Sequence, residues 1–431
     1  MHNMSKIVGV LARQVLDSRG NPTVEAEIKT GDGFFRGMVP SGASTGIHEA
    51  LELRDKDEAR YSGKGVLEAV GNIKNVIAPK IKGLNATSQR EIDGLMCELD
   101  GTDNKKNLGA NAILAVSMAV CRAGAAAEGK KLFEYIAGLS GKKGVTLPVP
   151  QLNVINGGEH AGMENDIQEN MYMPLGAESF GEAIRMGAET YHTLKKMIKK
   201  HYGPLATQLG DEGGFVPPIE DPRERLDLLM SAAAEAGYES DMAVAIDAAS
   251  SEFYYADKNI YMIGDEKYSA GELVDFYKDL ASTYPLVSLE DGMAEDDWEG
   301  WKLLNQQLGD KIQLTGDDLL VTNVGRIGKA VSDDVCNALL LKVNQIGSIT
   351  ESIAAAEKSY DAGWGVTVSH RSGETEDSFI ADLAVGLDTG QIKTGAPARS
   401  ERLSKYNQLI RIEQKLAGEA RYLGVDFMVK S

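Results

Sequence analysis

Six apolar runs in the second half of this chain each end in a side chain able to carry charge or hold a metal. They are Val244-Ala245-Ile246-Asp247, Val287-Ser288-Leu289-Glu290, Ile312-Gln313-Leu314-Thr315-Gly316-Asp317, Leu339-Leu340-Leu341-Lys342, Val366-Thr367-Val368-Ser369-His370 and Gln391-Ile392-Lys393. Most precede a helix-like stretch, so they read as parallel strands in βα units. When such units close into a barrel, the strand C-terminal ends meet on one face, and that face carries the chemistry. Three carboxylates, two lysines and a histidine then surround one mouth. Taken singly, a charged residue after a buried strand is most often the first solvated residue of a loop. Six in succession, ordered acid, acid, acid, base, His-Arg, base, argue against that reading.

The residue types suggest their chemistry. Asp247, Glu290 and Asp317 offer hard oxygen ligands with no Cys or His cluster beside them, a donor set that suits Mg²⁺. The competing reading is a solvated acidic rim, but three converging carboxylates without a cation would repel one another. A partly desolvated lysine beside metal ions has its neutral form favoured, which would make Lys342 a usable base. A lysine at a core edge that snorkels to solvent is the alternative. Lys393 could neutralise an anionic substrate or tune Lys342. His370-Arg371-Ser372-Gly373 supplies a guanidinium, a hydroxyl and flexible backbone, a set suited to phosphate or carboxylate. Two glycine-rich loops, Leu209 to Phe215 around Glu212 and Asn156 to His160, let backbone approach a ligand, and each alone could be an ordinary turn. Pro40 to Gly46 is small and flexible like a lid, but lacks the lysine of a Walker loop.

The elements that must position these residues divide the chain in two. At 431 residues and 43% hydrophobic content, one ordinary core is too small a description. Residues 1–142 read as an α+β unit. Thr23 to Ile28 alternates at period two and can pair with Phe34 to Val39 across Gly31-Asp32-Gly33. Helical patterns follow at Val66–Ile77, Gln89–Leu99 and Asn111–Ala127. A linker is expected between Leu139 and Pro150, and the βα rhythm fills 143–431. Its clear helices are Phe180–Lys200, Glu224–Ala236, Trp298–Leu308, Ser348–Tyr360 and Glu401–Leu416. An inserted hairpin is expected around Asp257-Lys258-Asn259. The net charge of −19 disfavours nucleic acid and acidic membranes as partners. Cys97, Cys121 and Cys336 lack metal spacing and fit a reducing, cytoplasmic setting. The N-terminus lacks a signal peptide's apolar segment. The Ala-rich stretch Ala110 to Ala127 is interrupted by polar residues and reads as a packed helix, so no membrane span is expected.

Several strings make the chain resemble the enolase family. The likeness runs from Asp17-Ser18-Arg19-Gly20-Asn21-Pro22-Thr23 almost to the C-terminus. It is most specific in Leu340 to Gly347, Ser369 to Thr375 and Gly390 to Pro397. The resemblance implies a small α+β cap on an eight-stranded αβ barrel, TIM-like but of irregular topology, assembled as a homodimer or higher homo-oligomer. It implies interconversion of 2-phosphoglycerate with phosphoenolpyruvate and water. Two Mg²⁺ per active site are implied, one held by Asp247, Glu290 and Asp317, the second helped by Ser44. By the same resemblance Lys342 removes the C2 proton, and Glu212 protonates the departing C3 hydroxyl with Glu169 assisting. His160, Gln168, His370, Arg371, Ser372 and Lys393 stand by the substrate. A lysine base with Mg²⁺ is an established superfamily pattern rather than a deduction from spacing. The physics agrees with it: a proton beside a carboxylate is weakly acidic, and metal ions with Lys393 would stabilise the developing ene-diolate.

The sequence departs from the family pattern twice. Asn170 follows Gln168-Glu169 where phenylalanine is common, and Ala161 to Asn165 is unusual. A second enzyme reading is an acid-sugar dehydratase or cycloisomerase of the same superfamily. Arg371-Ser372 and the acid loop at Glu212 argue against it. A third reading, a surface-binding or scaffold role with display at the cell surface, could coexist with catalysis.

Overall fold

The computed structural model describes residues 4–42 and 46–428. Ser44, expected to help the second metal, lies outside the described residues, as does part of the Ser41–Gly46 segment.

The first unit is built on an antiparallel meander of β1 (Gly9–Leu16), β2 (Pro22–Thr30) and β3 (Gly33–Met38). The expected hairpin forms, with Glu25 opposite Met38 and Thr30 opposite Gly33. Helix Ala110–Ala127 lies across this sheet. A Cβ on Gly37 would sit 2.6 Å from the Ala115 carbonyl oxygen, so glycine there permits the close approach. By length and composition the helix could cross a membrane, yet nearly all of it is buried inside the protein. The helix expected over Val66–Ile77 is interrupted: Leu67–Asn72 passes into a wide π turn at Ile73–Ile77, then into Ala78–Ile81.

The expected linker is shorter than the sequence suggested. Helix Leu132–Ser140 runs through its start and β5 (Val149–Asn156) through its end. Between them lies β4 (Thr146–Leu147), which pairs in parallel with β16 (Arg421–Tyr422). Asp388 accepts hydrogen bonds from the backbone N–H groups of Lys143, Gly144, Val145 and Thr146 at 2.8–3.0 Å. One side chain therefore satisfies four successive backbone N–H groups where the chain passes from the helix into β4.

Eight strands close a barrel: β5, β6 (Glu169–Pro174), β7 (Met242–Asp247), β11 (Leu286–Glu290), β12 (Gln313–Gly316), β13 (Ala338–Leu341), β14 (Gly365–Ser369) and β15 (Gly390–Lys393). The expected insertion between β7 and β11 is a three-stranded meander of β8 (Tyr254–Tyr255), β9 (Ile260–Ile263) and β10 (Glu266–Tyr268). One barrel strand breaks the parallel rule read from the sequence. β6 runs antiparallel to both β5 and β7. Two helices, Phe180–Tyr202 and Pro222–Ala236, lie between β6 and β7, an even number that returns the chain to the end of the barrel where β6 finishes.

Alternation along the strands fills the interior in layers. Val149, Met171, Met173, Ala243 and Ala245 form an apolar cluster within the barrel. Above it lies a neutral polar layer. Gln391 Nε2 donates to Gln313 Oε1 at 2.7 Å, and Gln313 Nε2 returns a bond to Gln391 Oε1 at 2.9 Å. Gln151 Nε2 donates to Gln391 Oε1 at 3.0 Å, and Gln313 also reaches Ser288 and Thr315. Two residues further along the same strands come Lys393, Glu290 and, past Thr315, Asp317.

Candidate active site

The strand ends deliver their side chains to one cleft. It is lined by His160, Gln168, Glu169, Glu212, Asp247, Asp317, Lys342, His370, Arg371, Ser372 and Lys393. Glu290 joins them through Lys393. The reversed strand explains Glu169. It stands at the beginning of β6, not at a C-terminal end, and reaches the mouth because β6 starts there. A larger cavity of about 750 Å³ lies between helices Ala110–Ala127 and Ser400–Leu416. It holds none of these strand-end residues, so the chemistry belongs to the smaller cleft.

The two lysines divide the acids. Lys393 Nζ lies 2.8 Å from Glu290 Oε1, 3.0 Å from Asp247 Oδ2 and 3.1 Å from Glu169 Oε2. Its ammonium is held well above its ordinary range, because these carboxylates outweigh the cost of burial. Lys342 forms a short ion pair with Asp317. Burial pulls the Lys342 pKa down, but Asp317 beside it and Glu290 pull harder, so the ammonium is favoured. Lys342 can act as a base only when Asp317 is engaged elsewhere.

The acids also exceed what the cations can neutralise. Burial, then Asp247, push Glu290 well above the usual carboxylate range, and its buried Oε2 has no hydrogen-bond partner among the described residues. Burial and Asp317 push Asp318 up to about 8. Unpaired buried carboxylate oxygens with hard-ligand chemistry fit a divalent cation. Among the described residues, ligand atoms lie within 4.8 Å of one another in two groups, Asp291 with Asp317 and Asp318, and His160 with Glu169 and Glu212. Asp247 and Glu290 instead share the Lys393 ammonium. Sequence reading passed over Asp291. Its carboxylate accepts from the backbone N–H groups of Asp317 and Asp318, both at 2.9 Å, and so fixes the loop after β12. Its only sequence signal is that it follows Glu290 directly.

Glu212 sits across the mouth on its glycine loop. A Cβ on Gly210 would meet Asn156 Nδ2 at 2.0 Å, and one on Gly214 would meet Asn156 Oδ1 at 2.6 Å, so the loop can wrap Asn156 only as glycine. Ala396 N–H donates to the Glu212 carbonyl at 2.9 Å, and Tyr191 donates to that of Gly213 at 2.7 Å. Asn153 Nδ2, another residue not singled out from sequence, donates to Glu212 Oε2 at 2.9 Å. Arg402, fully buried, donates to His370 Nδ1 at 2.6 Å. That nitrogen must therefore be the acceptor, which leaves the proton on Nε2, 3.3 Å from Glu212 Oε1. Burial, against the pull of Glu212 and with Arg402 adding to it, drives His370 down to about 3, so the ring is neutral. Burial raises Glu212, while the Nε2–H side of the neutral His370 ring and the charge of Arg402 act to lower it. At Glu169, burial and then Glu212 drive the carboxyl well above the ordinary range. His160 Nδ1 is 3.5 Å from Glu169 and 4.0 Å from Glu212.

Two models cover nearly all of this chain. Residues 7–136 match the enolase N-terminal domain, and residues 144–431 match the enolase C-terminal TIM barrel domain. The chain belongs to the enolase family. Among curated relatives it is 57% identical over 429 residues to the enolase of Thermococcus kodakarensis, covering 99% of both chains. It is 56% identical to the enolase of Pyrococcus furiosus at the same coverage. It is also 56% identical over 435 residues to enolase 2 of Hevea brasiliensis, covering 98% of both.

Within this enolase, one departure from the family pattern faces away from the site. Asn170 alternates with Glu169 and Met171, which point into the barrel, so its side chain lies on the helix side of β6. It is fully buried, donates weakly to the Ile155 carbonyl at 3.4 Å and leaves Oδ1 without a partner. The other departure, Ala161–Asn165, forms the outer part of the loop between β5 and β6. There Asn165 Oδ1 accepts from the Tyr255 hydroxyl of the inserted meander at 3.1 Å.

Proposed function

We propose how this enolase divides the work of its reaction, the interconversion of 2-phosphoglycerate with phosphoenolpyruvate and water. Lys342 takes the C2 proton. Glu212 protonates the departing C3 hydroxyl, and it must first gain a proton from the side where Glu169 and His160 stand. Gln168, His370, Arg371, Ser372 and Lys393 hold the substrate, with Arg371 and Ser372 on its phosphate. Asp247, Glu290 and Asp317 would ligate one Mg²⁺, and a second would complete the site with Ser44. Bound there, Mg²⁺ neutralises charge that builds on the substrate carboxylate as the proton leaves. The carrying observation is the placement of two lysines on the carboxylate cluster, with the Glu169–Glu212 pair sharing the same cleft.

The test follows the C2 signal of 2-phosphoglycerate by NMR in deuterated buffer. Lys342→Ala should abolish both C2 exchange and loss of water, each by roughly 10²–10⁴-fold. Glu212→Gln should block loss of water yet keep some exchange, because base and metal ligands remain. Exchange persisting in Lys342→Ala, or none in a folded Glu212→Gln, would sink this division. No turnover of 2-phosphoglycerate by the wild type would favour the acid-sugar reading.

The remaining assignments are proposals of the same standing. A domain division at 142/143 is supported by the turn that follows helix Leu132–Ser140. A homodimer or larger homo-oligomer is supported by β1, a sheet edge bearing exposed Leu11 and Leu16. Cytoplasmic residence is supported by three unpaired cysteines, two of them buried.

A further inference from the structure

The guanidinium proposed to take the substrate phosphate is already gripped by a carboxylate of the chain itself. Arg371 Nη1 donates to Glu49 Oε2 at 3.0 Å, and Nη2 donates to Glu49 Oε1 at 3.1 Å. Both side chains are almost fully buried, at 4% and 6% exposure. This is the two-pronged geometry in which arginine holds carboxylate or phosphate, and Glu49 fills it.

Glu49 also has other attachments. Its Oε1 accepts from the backbone N–H of Gly46 at 3.1 Å and lies 3.5 Å from Gln345 Nε2. Gln345 Nε2 in turn donates to Asp317 Oδ1 at 2.8 Å, and Asp317 carries Lys342. The Ala50 N–H is tied to the Gln345 carbonyl at 2.8 Å. One carboxylate thus joins the backbone at Gly46, the phosphate arginine and, through one glutamine, the carboxylate beside the base. Glu49, Gly46 and Ala50 stand in the first unit, and Gln345, Asp317 and Arg371 in the barrel, Arg371 lying 322 residues from Glu49 along the chain.

We propose that Glu49 is an internal, displaceable occupant of the Arg371 fork. It holds the guanidinium in place until phosphate arrives, then yields the fork and releases Gly46. This rests on the reading of Arg371 as the phosphate contact. A phosphate brings the same bidentate acceptors with more charge, so the guanidinium stays paired, and the displaced Glu49 carboxylate must swing out to water with its segment. Arrival of substrate is thereby passed to the segment Gly46–Ala50. Glu49 acts here as a positioning residue.

A protein whose competent state is only partly populated binds its ligand more weakly in proportion. Removing the internal competitor should therefore tighten anion binding. The measurement uses the full chain with Mg²⁺, with inorganic phosphate as probe and hydrogen exchange read at the Gly46 amide. In wild type, phosphate should speed Gly46 exchange. In Glu49→Gln, exchange should be fast without phosphate and insensitive to it, and phosphate should bind about tenfold more tightly if roughly a tenth of wild-type forks are open. The gain should vanish in Glu49→Gln/Arg371→Lys, since a mere loss of negative charge would persist there. Glu49→Asp keeps the charge on a shorter arm and gives a second folded comparison, in which Gly46 exchange should also rise. Unchanged or weaker phosphate binding in Glu49→Gln, or Gly46 exchange still responsive to phosphate, overturns the proposal. Wild-type phosphate affinity in Arg371→Lys overturns the phosphate reading of Arg371 and this inference with it. Weakened affinity there beside an unchanged Glu49→Gln overturns this inference alone.

Discussion

Two layers of the same barrel strands, one alternation apart, treat polarity in opposite ways. In the lower layer Gln151, Gln313 and Gln391 bond to one another and to neighbouring hydroxyls, and all are neutral. In the upper layer Lys393, Glu290, Asp247 and Glu169 form a charged cluster in which Glu290 Oε2 finds no hydrogen-bond partner among the described residues. Both layers are buried, so solvent does not explain the difference. A complete amide network costs little once every donor has an acceptor. A buried ionic cluster with more acid than base stays costly until something else joins it. The lower layer is finished as folded, while the upper one is shaped for a cation and an anionic substrate.

The sharpest way to break this comparison is to withhold the divalent cation. A chelator should cut turnover by at least about 10²-fold, and Asp317→Ala should weaken Mg²⁺ binding while the chain stays folded. Undiminished activity in chelator would mean that the upper layer is complete by itself. Lys393→Ala probes the same layer through stability. Without metal it leaves Asp247, Glu290 and Glu169 facing one another, and thermal melts should show a loss of about 3–5 kcal/mol, largely recovered with Mg²⁺. A loss that Mg²⁺ does not touch would make Lys393 a structural ion pair only.

The lower layer should respond differently. Gln391→Leu strands the Gln313 and Gln151 amides and should cost about 1–3 kcal/mol in denaturant unfolding. Mg²⁺ affinity should stay within a few-fold of wild type, and a large loss of it would show that the two layers are coupled. The smallest effect concerns pH. His370 falls from an ordinary 6.5 to about 3 in the folded chain, so the unfolded chain takes up the proton first. The stabilisation is complete above pH 6.5 and is lost as pH falls toward 3. Between pH 6.5 and 5 wild type should lose about 2 kcal/mol more than His370→Gln. Gln391→Leu should shift stability equally at both pH values, since no titrating group is removed. Parallel pH curves for wild type and His370→Gln would remove the neutral-histidine assignment.

Much of the mouth was legible because barrel strands write their inward face in alternate residues and end at one rim. Asp247, Glu290, Asp317, Lys342, His370 and Lys393 follow from that rule. Glu169 reached the same rim by a strand running the other way, which short apolar runs do not reveal. Glu49, Asn153 and Arg402 carried no strand-end signal, and Asp291 carried only its place directly after Glu290. Each matters through a partner brought close by folding: Glu49 to Arg371, Asn153 to Glu212, Asp291 to the backbone of Asp317, and Arg402 to His370.

The residue order by itself determined the strand rhythm, the chemical types at the mouth and, through long matching strings, the family. These depend on local period and identity, which a chain carries without folding. Only the tertiary structure decided the direction of β6, the meeting of Glu169 with Glu212 in one cleft, and the ion pair of Lys342 with Asp317. Those outcomes depend on distances of about 3 Å between residues far apart in sequence, and Coulomb and desolvation energies are set by such distances and by burial, not by order along the chain.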